Sequence, residues 1–275
     1  MTPLWLTLRQ TARVIRSHRK LWLPFLVVAA VEVLFLGLVW LAPHAPFSAV
    51  LAPPLRYFFG DRILHYPWHL WFLYHVMKHT HVAASILIGA FMTGVACAMV
   101  RQLHKGQPFS LRDALIEKQV RYGTTVLLWL ITWSLARGLG EACSRWAPKS
   151  VWSLWGIVIL TVLLQALLGY AIPASVFAGS SWWKSLLQSV REALRYPWST
   201  LMVVTIPSVV LIAFVALVPP ARVFTWMSRW TPECVLLLVV GRLVLWTVAD
   251  VFTTVALAHL WWNHRTQLEK GHAVA

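Results

Sequence analysis

Acidic side chains are scarce in this chain: nine Asp and Glu stand against 24 Lys and Arg in 275 residues. No carboxylate pair falls at a working spacing for general acid–base chemistry. No G-x-S-x-G nucleophile elbow, no phosphate-binding P-loop and no H-E-x-x-H zinc motif occurs. These gaps leave catalysis as the least supported class, and the expectation is a non-enzymatic protein without a cofactor. Cysteine is sparse too, with three residues and no pair at zinc spacing. Charge of both signs is thin, at 12% of residues, about half of what a soluble domain carries.

Apolar mass fills the space. Hydrophobic residues make up 59% of the chain, and there are 18 tryptophans. Apolar runs of about twenty residues recur, the length needed to cross a bilayer as a helix. The fold class expected is all-α, a polytopic six-helix transmembrane bundle with amphipathic interfacial helices. The spans are read at about Leu21–Leu41, His81–Val100, Tyr122–Leu139, Val151–Phe177, Ser199–Val218 and Val235–Trp261. The first apolar stretch exceeds the roughly 7–15 residues of a signal peptide and is read as a retained helix.

Basic residues orient the spans. With the N-terminus inside, the inner segments hold fifteen Lys and Arg and the outer segments eight. Both termini are then cytoplasmic, in a bacterial inner membrane. Because the positive charge flanks spans, its expected partners are membrane lipids with anionic headgroups and not nucleic acid. Cys143 and Cys234 both fall in outer segments and are a candidate disulfide. Cys97 lies within a span and is expected to stay a free thiol.

Three cytoplasmic segments precede spans one, three and five. In Ser181–Trp198, at 100° per residue, Trp182, Trp183, Leu186, Leu187, Val190, Ala193 and Leu194 fill one arc. Lys184, Ser185, Gln188, Ser189, Arg191, Glu192 and Arg195 fill the other, the pattern of a helix lying in the interface. At the N-terminus Thr2 can cap and Pro3 suits the first turn. There Leu4, Leu8, Ala12 and Ile15 make an apolar stripe beside a lipid-facing basic stripe of Arg9, Arg13, Arg16 and Lys20. The third segment, SLRDALIEKQVR, opens at Ser110 with Asp113 three residues on, a capping-box spacing. The unit expected is an interfacial helix followed by a helical hairpin, repeated over about 1–104, 105–180 and 181–266 of a single membrane domain, 1–275.

GQPFSLRDAL and SWWKSLLQSVREALRYPW together resemble a loose group of bacterial six-helix proteins. The group includes the YciC-like proteins and the membrane domain attached to some glycerophosphodiester phosphodiesterases. The resemblance implies a six-helix bundle and supplies no catalytic residues. No soluble segment here is long enough to hold the attached phosphodiesterase.

The stretch HYPWHLWFLYHVMKHTH, His65–His81, carries five histidines. His75 and His79 share a helix face at i,i+4 and are the weak metal candidates. Asp61 is the nearest acid, and no third ligand is fixed, so no metal site is expected. The reading preferred is an interfacial helix, with Trp68, Trp71, Phe72 and Tyr74 at headgroup level and a docking surface as its use. His104 and His259, at the inner ends of two spans, lack a supporting pattern for haem or chlorophyll.

Inside the membrane lie Glu32 in span one, Gln165 in span four, and Arg242 and Asp250 in span six. Each charge costs about 2.5–3.5 kcal/mol there, so the charges are expected to face the bundle interior. Arg242 is expected to pair with Glu32 or Asp250 and lock helices together. The alternative is a transport path, helped by Pro173 and Pro207 inside spans. The leading functional expectation is therefore a scaffold or accessory subunit of a larger membrane protein complex. A transporter or permease-like protein for a small or amphiphilic solute comes second.

Overall fold

The computed structural model describes residues 4–107, 110–146, 150–217 and 232–272. The proposed caps Thr2 and Pro3 lie outside them. Among the described residues there is no strand, and six helices are long and apolar enough to cross a membrane. The protein is an all-α, multi-pass membrane bundle. The helices are α1 (Leu4–Ser17), α2 (Leu23–Leu41), α3 (Ser48–Phe59), α4 (Trp68–Ala84), α5 (Ala90–His104) and α6 (Leu111–Leu115). They continue with α7 (Tyr122–Trp146), α8 (Val151–Leu168), α9 (Ala171–Ala178), α10 (Trp182–Arg195), α11 (Pro197–Leu217) and α12 (Cys234–His272).

One span differs from the sequence reading. The π turn Ser85–Gly89 joins α4 to α5, and the apolar helix runs over 37 residues, Trp68–His104. Trp68–His81 is therefore not a separate helix but the front part of a longer one. Leu70, Phe72, Leu73, Tyr74 and Met77 are buried along it. His75, Lys78 and His79, at i, i+3 and i+4, form its exposed polar face. Pro67 sits just before its first residue, where the missing N–H costs nothing.

The chain folds into two compact units. Unit 1 holds Met1–Phe25, Ile88–Val209 and Ala249–Ala275; unit 2 holds Leu26–Leu87 and Val210–Val248.

In unit 1, α5 is buried on almost every side from Met92 to Gln102. Small residues permit this, since Gly and Ala let neighbouring backbones come close. At Gly94 an added Cβ would lie 2.9 Å from the Thr125 methyl of α7. A second core gathers Tyr170, Ala174, Ala193, Val203, Ala256, Leu257, Leu260 and Trp261, with Leu8 of α1 packed against it. The Tyr170 and Thr200 hydroxyls share a hydrogen bond of 2.9 Å inside it.

The interfacial helices turn out differently from one another. α10 lies as an amphipathic helix, but the face it presents to the protein is the small polar one. Ser185, Ser189 and Ala193, at i, i+4 and i+8, are buried, while Trp183, Leu187 and Leu194 are more than half exposed. The small residues allow close approach to the bundle, and the larger apolar side chains are left on the outside. The Ser189 hydroxyl donates to the Leu167 carbonyl at 2.8 Å. Ser189→Leu should therefore destabilise the protein by about 2–4 kcal/mol through overpacking and the lost bond. Leu187→Ser, on the outward-facing side, should cost far less. Unfolding of both variants in mixed micelles checks the contrast.

Arg9, Arg13 and Arg16 of α1, and Lys20 in the 3-10 turn that follows it, are all exposed. The packed side is Leu8 with Thr11, and Ala12 is exposed, so the stripe drawn through Ala12 is rotated by one residue. The third segment keeps its cap, with the Asp113 N–H donating to the Ser110 hydroxyl oxygen at 3.1 Å. Its helix, however, lasts only Leu111–Leu115, because Ile116 to Arg121 turn instead of continuing.

Candidate functional site

Unit 2 contains a polar cluster within its spanning helices. It rests on three seams. On α2, Glu32, Leu36 and Val39 recur at spacings of four and three; on α4, Leu70, Tyr74, Met77 and His81 do the same; on α12, Val235, Val239, Arg242 and Trp246. Such spacing places each set on one helix face. Leu36, Leu70, Leu73, Tyr74, Met77, Val235 and Val239 form the apolar part of this core. The polar members stand on the same faces, so burial of the seams carries them inward.

Glu32 is 4% exposed. Its carboxylate meets the His81 Nδ1 at 2.7 Å, and the imidazole is about a quarter exposed. The His81 ring lies 3.9 Å, centroid to centroid, from Trp246. Arg242, one turn before Trp246, holds its guanidinium 4.5 Å from that indole and hydrogen-bonds to Tyr74. The negative face of the indole attracts the cation.

Among the described residues of unit 2, the expected pairing of Arg242 with Glu32 is not formed. Glu32 takes His81 instead, and Arg242 takes Tyr74 and Trp246. Asp250 stands in unit 1 as an exposed residue. Gln165 is also in unit 1, exposed, and borders a shallow cavity of about 150 Å³ with Thr132 and Ile172. The four intramembrane polar residues read from the sequence thus divide between the units. The sequence reading does not group His81, Tyr74 and Trp246 with Glu32 and Arg242. Their common seam phase is the signal that could have found them.

The five histidines have five surroundings. His65 bonds to Asp61 at 3.0 Å, and that contact, aided by Arg56, holds the Asp61 carboxyl below the usual carboxylate range. His69 lies against His44 and Tyr66. His75 stacks on Trp71 and is exposed, as is His79. Among the described residues no three His, Cys, Asp or Glu come together to hold a metal. His104 and His259 of unit 1 do meet, edge to face at 4.8 Å between centroids. Rings in that contact leave no gap for a macrocycle between them. Cys143, near the end of α7, and Cys234, which opens α12, are both free thiols in this structure. Cys97 is free and buried, as expected.

A residue counted only as a topology charge proves structural. Arg101 on α5 is 4% exposed. It forms an ion pair with Glu117 and donates to the Val176 carbonyl at 2.8 Å. It thereby ties the loop after α6 and the end of α9 to one helix of unit 1.

No family model, no curated protein and no solved structure matches this chain.

Proposed function

We propose that the chain is a non-enzymatic, transporter-like protein of the bacterial inner membrane, with both termini cytoplasmic, that moves a small or amphiphilic solute in step with protons. The observation that carries this reading is the Glu32–His81 contact. Among side chains, imidazole is the one whose ordinary titration falls near neutral pH. A carboxylate and an imidazole bonded within a spanning bundle form a site able to exchange a proton, and intramembrane ionisable groups mark solute or proton pathways more often than not. This reverses the order of expectations drawn from sequence, because the pairing that favoured a purely structural lock was Arg242 with an acid.

The test needs no identified solute. Purified protein in liposomes under a pH gradient is followed with an internal pH dye. Wild-type protein should dissipate the gradient faster than Glu32→Gln or His81→Gln. Equal rates for wild type, both variants and empty liposomes would remove the proton-linked reading.

A second reading, the scaffold or accessory subunit, draws on a different observation. On α3, Val50, Tyr57 and Phe58 are more than 70% exposed, while Phe59 anchors the helix on Phe72 at 4.8 Å. A membrane-protein partner seated on that ridge would co-purify in fixed stoichiometry and be lost on Tyr57→Ser with Phe58→Ser. The loose resemblance to YciC-like and phosphodiesterase membrane domains is compatible with both readings.

A further inference from the structure

Unit 1 has a polar cavity of about 260 Å³ at the point where two spans meet the interface. Its lining comes from Lys118, Gln119 and Arg121 before α7, from Thr124 in its first turn, from Ser175 of α9, and from Gly179 and Ser180 just after it. One of those spans begins at Tyr122 and the other ends at Ala178, so the cavity stands at headgroup depth. Two cations line it and no acid does.

The donors are unspent. Among the described residues, the side chains of Lys118, Gln119, Arg121 and Thr124 have no hydrogen-bond or ion-pair partner, whereas Ser175 and Ser180 are committed to Ile172 and Ser185. Glu117, the nearest acid in sequence, is matched by Arg101. The frame is braced: Arg101 holds the loop through Glu117 and α9 through the Val176 carbonyl. Gly179, at φ +60°, turns the chain from α9 toward α10 in a conformation few other residues adopt. The first-turn N–H groups of α7 add to the positive potential there. Next to the cavity in sequence, α10 starts with Trp182 and Trp183, both exposed, and its apolar side is left for acyl chains.

We infer that this cavity is a binding site for a phosphate-bearing anion, and that the anion is the headgroup of an anionic phospholipid. Lys118 and Arg121 neutralise the phosphate, Gln119 and Thr124 donate to its oxygens, and the lipid tails run beside α10. This site is independent of the Glu32–His81 reading.

The test uses the full chain in neutral detergent. Native mass spectrometry follows retention of added phosphatidylglycerol against phosphatidylcholine, and titration with inorganic phosphate runs in parallel. Wild-type protein should retain one phosphatidylglycerol in preference to phosphatidylcholine. Lys118→Gln with Arg121→Gln should weaken that retention by about thirtyfold, from two cations each acting at close range. Both residues are exposed, so the double variant should unfold at the wild-type midpoint. Lys184→Gln with Arg191→Gln removes the same charge from α10 and should leave retention unchanged. Equal loss in both double variants would reduce the effect to net charge and overturn the site. Unchanged retention in the Lys118/Arg121 variant would overturn it as well. Saturable phosphate binding that phosphatidylglycerol does not displace would overturn the lipid as its source.

Discussion

Arg101→Leu should lower the stability of the protein by about 3–5 kcal/mol, the loss expected when one member of a buried ion pair is removed. Arg101 is almost fully buried and serves two partners, the Glu117 carboxylate and the Val176 carbonyl. The Glu117 side chain is about a quarter exposed, so water relieves part of its stranded charge, and the lower end of the range is the better expectation. Arg101→Lys should recover only part of the loss. Lysine keeps the charge, but its compact head cannot span a carboxylate and a carbonyl as a planar fork does. Leucine at both 101 and 117 should be more stable than Arg101→Leu alone, because no charge remains buried without a partner. Reversible unfolding in mixed micelles measures all three. A loss below about 1 kcal/mol in the single variant, the level of an exposed pair, would mean that the arginine is solvated.

The second large effect belongs to Glu32. Glu32→Leu should cost about 2–3 kcal/mol, since it leaves the His81 Nδ1 without its acceptor inside the bundle. Arg242→Leu should cost less, about 1–2 kcal/mol. That change removes a contact with an indole and a hydrogen bond to a tyrosine but leaves no carboxylate alone. The ranking is opposite to the one that charge matching along the sequence suggests, where arginine holds the acid.

Why the spans were legible and the pairs were not follows from the physics of each. Apolar length decides a span, and it is local, so α2, α7, α11 and α12 start within a couple of residues of the sequence reading. Partner choice within the membrane depends on the register between helices distant in sequence. Glu32 and His81 are 49 residues apart, and only the seam phase of α4 brings His81, rather than His79 or His75, to the acid. The face that α10 turns to the bundle has another cause. Its apolar arc is real, but in a bilayer the apolar side of an interfacial helix goes to lipid, and the small serines go to the protein. Arg101 carries no periodic signal at all, because its neighbours on α5 are buried on every side. The cost of polar groups in spans points Gln165 and Asp250 to the interior. Both instead stand exposed in unit 1.

The most direct test of the intramembrane site is a pair of double-mutant cycles read by unfolding in mixed micelles, one over Glu32 and His81, the other over Glu32 and Arg242. The arrangement of these side chains predicts a coupling of about 1–3 kcal/mol between Glu32 and His81 and less than about 0.5 kcal/mol between Glu32 and Arg242. A strong coupling of Glu32 to Arg242 with none to His81 would contradict it, and with it the proton-exchanging pair on which the proposed function rests.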